Sequence, residues 1–389
     1  MQNMKAKLFF IIFLLSGSFV FSYTSEKNNS SAKTNEEETV SRIPDLKPGK
    51  WEPLYRMGKN LFPSVVISTV TLKEEDDDRV PNQLGALWGT IGIAICSPKN
   101  DCPISLEVSS GTFFKPTTFS VTLPKKGVTY FVFPDLKYEY EKLLKVTQTV
   151  PEDVTYKVTI DGNTEPEKTD HIQVRSINEC VYYFVDYDEN SVDTPWFFAA
   201  YVNENHPYIN GVLSDALKSK KVSSFSGTSG DEESQLEEIN AIWETLRHRG
   251  MHYSSITTTA DDDNSDLSSQ HVRLLGQSIN FSQANCVDGS VLLASILRKI
   301  GFDVSLIATD DHMYVAVASG KDGDSLMCIE TTMLGDSSLD EAIEEGNKEF
   351  EENEDKFYSD DDKYSDFNII NIMEARSMGI MPIKDAVSN

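Results

Sequence analysis

The sequence predicts an α+β protein in which an N-terminal antiparallel β-sandwich precedes a second domain of mixed helices and strands. Three observations carry that reading. Short runs rich in Val, Ile, Thr, Tyr and Phe, separated by Pro, Gly, Asn and Asp, recur between residues 64 and 185, the pattern of a sandwich with regular turns. Helical periodicity then takes over: Leu236, Ile239, Ile242, Trp243 and Leu246 form one apolar stripe, and Val287, Val291, Ala294, Leu297 and Ile300 form another. Strand-like runs return after His312, around Cys328 and at 367–372, so helices and strands share the second domain.

The chain begins with a segment that reads as an address. Lys5 and Lys7 precede an apolar run from Leu8 to Phe21, and Val20-Phe21-Ser22 offers a small-residue cleavage site. That 14-residue run is shorter than the roughly 18 to 20 apolar residues of a spanning helix. Residues 1–22 are therefore expected to be a secretion signal; the competing reading is an uncleaved anchor. The expectation is an exported protein, periplasmic, envelope-associated or secreted, with no stable membrane insertion after cleavage. Residues 23–50 are polar and read as a flexible leader.

The 389 residues, 39% hydrophobic and 10% aromatic, suffice for sizeable cores. A formal charge of −27 excludes a nucleic-acid partner, because phosphate binding needs clustered Lys and Arg. The sandwich is expected over 51–205, with strands at 64–72, 87–96, 104–109, 118–123, 129–133, 155–160, 171–176 and 180–185. The acidic turn 74–78 reads as a solvated loop. Of the five cysteines, Cys96 and Cys102 flank a turn-rich segment and form either a local disulfide or two unpaired thiols. Cys180 and Cys328 sit in strand-like apolar surroundings and read as buried thiols.

A break is expected near His206-Pro207, opening a second domain over 206–389. Pro207 suits the first turn of a helix, with Ile209, Val212, Leu213, Ala216 and Leu217 at helical spacing. Residues 218–234 read as an exposed connection, and the Trp243 helix ends at Arg247-His248-Arg249-Gly250. A short strand is expected at 253–259. The acidic loop 261–266 lacks the Gly and distal Glu of a calcium loop. His252 and His271 either border a cleft or are ordinary loop histidines. An acidic helix from 338 to about 352 and a strand at 367–372 complete the domain.

The chemistry concentrates between residues 277 and 331. Cys286 opens the second apolar helix, and a thiolate is stabilised at such a terminus. Lowering a thiol pKa by two units requires about 2.7 kcal/mol, and a helix terminus supplies roughly 0.3 to 1 kcal/mol. A cation is therefore needed, and a protonated His is the natural one. His312 and Glu330 fall on two later strands joined by Gly320-Lys321-Asp322-Gly323, a strong hairpin signal. If the turn centres on Lys321, His312 lies directly opposite Glu330, where a carboxylate can orient the ring. Asp288 works against the scheme if it faces the thiol. A metal site from Cys286, His312 and Glu330 lacks the close ligand spacing of usual zinc sites; no metal and no organic cofactor is expected. For an oxyanion, the backbone N–H of Cys286 is one donor and Gln277 or Gln283 a second.

These stretches, Asn285-Cys286-Val-Asp288-Gly-Ser running to Leu297-Arg298-Lys-Ile-Gly301, then Asp311-His312-Met-Tyr-Val-Ala-Val and Ile329-Glu330-Thr331-Thr332, resemble the transglutaminase-like superfamily. The resemblance implies a papain-like α+β domain with Cys286 as nucleophile, His312 as acid and base, and Glu330 as orienting carboxylate. Glu330 stands where Asp is usual, one methylene longer. It further implies acyl transfer on amide or peptide bonds of a protein or peptide, by a protease, deamidase or transglutaminase type of reaction. Inactive members exist, so the alternative is a silent envelope protein that binds or scaffolds.

Overall fold

An 11-residue strand, β1 (Trp51–Leu61), joins the two halves of the first sheet. The computed structural model describes residues 43, 45–72, 80–254, 266–319 and 325–385. At its start β1 pairs antiparallel with β2 (Ile91–Cys96), Trp51 opposite Ile95. The remaining long strands are β3 (Cys102–Ser110), β4 (Thr117–Leu123), β5 (Thr129–Phe133), β6 (Val150–Ile160) and β7 (Lys168–Val174). The sheet runs from the short strand Gln83–Gly85 through β5, β2, β1, β7, β6 and β3 to β4. Ile93 and Ile95 from one half and Leu106 and Val158 from the other share one apolar cluster; β2 is buried at every residue, whereas β3 and β6 bury alternate ones as strand periodicity dictates.

Four expectations change here. First, the sheet is mixed: β1 runs parallel to β7 at Asn60↔Gln173, and Gln83–Gly85 runs parallel to β5. Second, 64–72 is not a strand: Pro63–Ser68 is a short helix, α1. The fixed φ of Pro63 suits the first helical position, and local β-propensity yields to it. Third, β1 was hidden because Arg56, Gly58, Lys59 and Asn60 interrupt its apolar pattern. Arg56 is nevertheless buried, its guanidinium donating to the Gly89 and Leu87 carbonyls and lying over the Phe133 and Tyr187 rings. Fourth, the end of the expected leader is ordered: Ile43 and Leu46 pack on the cluster around Leu54, and the Gly49 N–H donates to the Cys96 carbonyl. Cys96 and Cys102 are free, buried thiols, not a disulfide.

The larger core is organised around a buried helix. Strand β8 (Glu179–Val185), expected among the sandwich strands, pairs instead with β9 (Leu267–His271), Cys180 opposite Gln270. Its Cys180, Val181 and Phe184 pack in one cluster with Trp243, Leu292 and Leu297, across the break expected at residue 206. Helices α2 (Pro207–Lys218), α3 (Glu232–His248) and α4 (Leu275–Phe281) lead to α5 (Cys286–Lys299). Helix α5 packs on an antiparallel sheet of β10 (Val304–Ala308), β11 (Met313–Ser319), β12 (Ser325–Ile329) and β13 (Asn368–Asn371), ordered β12-β11-β10-β13. The acidic α6 (Leu339–Phe357) lies along β12, opened by a capping box in which Ser338 and Glu341 exchange hydrogen bonds.

No helix among the described residues is long and apolar enough to cross a membrane. The signal segment 1–22, the leader through residue 42, the acidic turn 74–78, most of 253–259 and 261–266, and the hairpin turn 320–323 lie outside the described residues.

Helix α6 makes its closest approach at Gly346. A Cβ there would sit 2.8 Å from the Cys328 carbonyl carbon and oxygen. In an exposed helix Gly→Ala stabilises by up to about 1 kcal/mol. Here Gly346→Ala should destabilise by about 1 to 3 kcal/mol, read from urea denaturation; a stabilised variant would show that α6 is not held against β12.

Candidate active site

The first turn of α5 fixes the thiol. Asn285 is the N-cap, its side-chain oxygen accepting from the Asp288 N–H at 2.8 Å. Asp288 turns inward, away from its feared role: its buried carboxylate accepts from the Arg273 N–H at 2.7 Å and from the Arg273 guanidinium at 3.1 Å. Burial pushes the Asp288 carboxyl up, and Arg273 opposes that shift. Cys286 is left half-buried at the wall of a cavity of about 350 Å³, with His312 on the same wall.

Two strand ends meet the helix through hydroxyl groups. The Ser290 hydroxyl lies 2.7 Å from the Cys286 carbonyl, 3.1 Å from the Met313 carbonyl and 2.9 Å from the Thr331 hydroxyl. With one proton to give, it donates to one carbonyl at a time, and the Thr331 hydroxyl, 3.3 Å from the Cys286 carbonyl, can supply another donor. The turn bearing Cys286, the start of β11 and the segment after β12 are thereby tied together.

His312 and Glu330 meet directly. His312 Nε2–H donates to Glu330 Oε2 at 2.6 Å. The other oxygen of Glu330 accepts from the Thr332 N–H at 2.7 Å and from the Thr332 hydroxyl, so a carboxylate only 4% exposed is satisfied on both sides. The backbone on either side is held too: the His312 N–H donates to the Thr309 hydroxyl, and the Glu330 N–H to the Ala342 carbonyl.

The register that achieves this differs from the expected one. Val315 faces Ile329 and Ser319 faces Ser325, a pairing displaced by two residues from the one that would set His312 directly opposite Glu330. The ladder ends at Ile329, and Thr331–Met333 turn away as a 3-10 helix capped by Glu330, so His312 and Glu330 leave the ends of β11 and β12 and meet through their side chains.

Nε2 is committed to Glu330, which leaves Nδ1 outside that bond. Burial works against the imidazolium, but the Cys286 thiol and then Glu330 outweigh it and push the His312 pKa up to about 10. Burial likewise opposes the charged Glu330, and its bonds to His312 and Thr332 prevail, holding it below the usual carboxylate range. A nitrogen of His312 and oxygens of Glu330 and Glu349 lie within 4.8 Å of one another. A metal there would have to displace the proton that Nε2 shares with Glu330, so the set fits an imidazolium better than an ion.

Neither glutamine expected at the oxyanion lines the cavity. The Gln277 amide is engaged with Asn178 and the Leu274 N–H, capping α4. Gln283 lies on a two-residue strand beside His252, its carbonyl accepting from Arg273. The glutamine on the cavity wall is Gln270 of β9, which alternation along a five-residue strand does not single out. Tyr253 is the other unanticipated neighbour: burial, then the Cys286 thiol and Glu330, push its hydroxyl up. Of the two histidines considered for the cleft rim, neither His252 nor His271 lines the cavity. Asp193, Asp310, Asp311 and Asp366 do, and no Lys or Arg joins them among the described residues. Burial and then the carboxylates of Asp366 and Asp362 push the Asp193 carboxyl up.

These shifts fix the pH dependence of folding stability. His312, raised from 6.5 to about 10, contributes stability that is complete below pH 6.5 and lost as the pH rises through 10. Glu330, lowered from 4.5, contributes stability present above that value and lost as the pH falls through its folded-state pKa. The gap in urea midpoint between wild type and His312→Ala should therefore narrow steadily from pH 6.5 to 10. A gap constant across that interval would contradict the assignment.

No family model and no curated protein sequence matches the chain. Among solved structures it is similar to the crystal structure of red sea bream transglutaminase, with a TM-score of 0.23 and 10% identity, covering 74% of this chain and 53% of that one. The chain thus spans about half the length of that protein, and at this score the likeness carries no argument about activity.

Proposed function

We propose that the protein is a cysteine-dependent acyl-transfer enzyme acting on amide or peptide bonds of a protein or peptide. The observation that carries the reading is the His312 ring held by Glu330 at 2.6 Å, with Cys286 and His312 lining one cavity and the Cys286 thiol among the groups that push the ring's pKa up. A thiol paired with an oriented imidazole is the arrangement that nucleophilic acyl transfer requires. On this reading β1 to β7 form a sandwich, and the chain from β8 onward, which shares the larger core with α5, is a transglutaminase-like, papain-like catalytic domain. The protein works after export, since residues 1–22 read as a secretion signal.

The chemistry balances with these groups alone. The thiolate sulfur of Cys286 attacks the carbonyl carbon; a C–S bond forms and the carbonyl electrons move onto oxygen. The N–H of Cys286, at the first position of α5 and without an intrahelical acceptor, donates to that oxygen, with the Gln270 amide as second donor. As the C–N bond breaks, imidazolium His312 gives its proton to the leaving amine. Water or an amine then attacks the thioester, His312 takes its proton, and the thiolate leaves. The carboxylates on the cavity wall disfavour anionic segments of substrate.

A thiol-reactive probe built on an amide substrate tests the reading. Wild type should be labelled, Cys286→Ala and His312→Ala should not, and Gln270→Ala should slow labelling on the order of 10²- to 10³-fold. Labelling that survives Cys286→Ala or His312→Ala would sink the proposal and favour a silent binding module.

A further inference from the structure

His312 has a second carboxylate beside it, and we infer that Glu349 of α6 is a positioning residue that works with Glu330 to keep the ring in its protonated, donating form. The inference rests on the proposed acyl-transfer reading and extends it. Glu349 Oε2 lies 3.9 Å from His312 Nε2, the atom that donates to Glu330 at 2.6 Å.

The placement is built rather than incidental. Helix α6 is fastened to β12 and the residue after it at three successive points. The Ala342 carbonyl accepts from the Glu330 N–H at 2.9 Å, the Gly346 backbone lies against the Cys328 carbonyl, and Asn347 Oδ1 accepts from the Cys328 N–H at 2.9 Å. With Gly346 and Asn347 fixed, the helix has no freedom to carry Glu349 away from the ring. Glu349 is set apart from its acidic neighbours by this geometry: its side chain is 24% exposed, whereas Glu345 is 50% exposed and paired with Lys348.

The electrostatics explain what the arrangement does. The groups that face Glu349 are His312 and Asp311 before β11, Tyr314 on β11, Cys328 and Glu330 at the end of β12, and Glu345 and Lys348 on its own helix. Burial pushes the Glu349 carboxyl up; His312 opposes that, and Glu330, Asp311 and Glu345 reinforce it. Two carboxylates brought to one nitrogen repel each other, and a cation between them relieves the repulsion. The pair thus favours imidazolium over neutral imidazole and extends upward the pH range in which His312 can protonate a leaving amine.

The test is an NMR titration of the His312 ring in the full chain. Wild type should titrate far above pH 6.5. Glu349→Gln, with its thermal melt unchanged, should titrate roughly one unit lower, Glu349→Asp should keep most of the elevation, and Glu345→Gln should match wild type. In turnover, Glu349→Gln should move the alkaline limb of kcat down by the same interval with KM unchanged. If Glu349→Gln and Glu349→Asp both titrate with the wild type, the role given to Glu349 is wrong while the acyl-transfer reading stands. If wild-type His312 titrates near 6.5 and does not respond to Cys286→Ala, that reading fails, and Glu349's role with it.

Discussion

The hydrogen bond from His312 to Glu330 is the contact on which the rest of the site depends. A carboxylate buried to 4% exposure is strongly destabilising unless paired and hydrogen-bonded. Glu330 meets that demand with three donors, one from His312 and two from Thr332. The ring is therefore held in orientation by the folded protein itself, with Nε2 bonded to Glu330 and Nδ1 outside that bond. Removing either partner leaves the other buried without its match, so the pair shapes stability as well as reactivity.

The surrounding fold serves this pair by immobilising three chain segments that are remote in sequence. Helix α5 is buried along most of its length, so the turn bearing Cys286 cannot shift without disturbing the larger core. The Ser290 and Thr331 hydroxyls link that turn to β11 and to the segment after β12. Arg273 absorbs the Asp288 charge, so the helix retains an acidic first turn, favourable to its dipole, while that carboxylate is bound to Arg273 and held inward. Helix α6, clamped by Ala342, Gly346 and Asn347, closes the far side of the sheet.

Much of this was legible in the sequence, for physical reasons that also explain what was not. Cys286 stood out because a polar cap precedes an apolar helical stripe, and His312 and Glu330 because they border a marked hairpin. The register of that hairpin could not be read: a turn shifted by a whole residue preserves the face of every side chain, so the pattern of apolar residues is equally satisfied. Gln270 was out of reach because it belongs to a strand defined only by its pairing with β8, more than eighty residues earlier. Gln277 and Gln283 were nearer in sequence, yet backbone capping and a short strand hold them elsewhere. The strand expected at 64–72 yielded to Pro63, and β1 was masked by Arg56, whose charge is neutral to neither pattern until its carbonyl partners are known. Glu349 was one acid in an acidic helix, and only the close approach at Gly346 distinguishes it.

The account reduces to a claim about bond formation at one sulfur. Intact-protein mass spectrometry after brief exposure to a peptidyl ester tests it most directly, because a thioester to Cys286 is the intermediate that the proposed acyl transfer requires. The prediction is a single acyl adduct that maps to Cys286 in wild type and is absent from both Cys286→Ala and His312→Ala. An adduct on another cysteine, or none on the folded wild-type protein across a range of peptidyl esters, would contradict it.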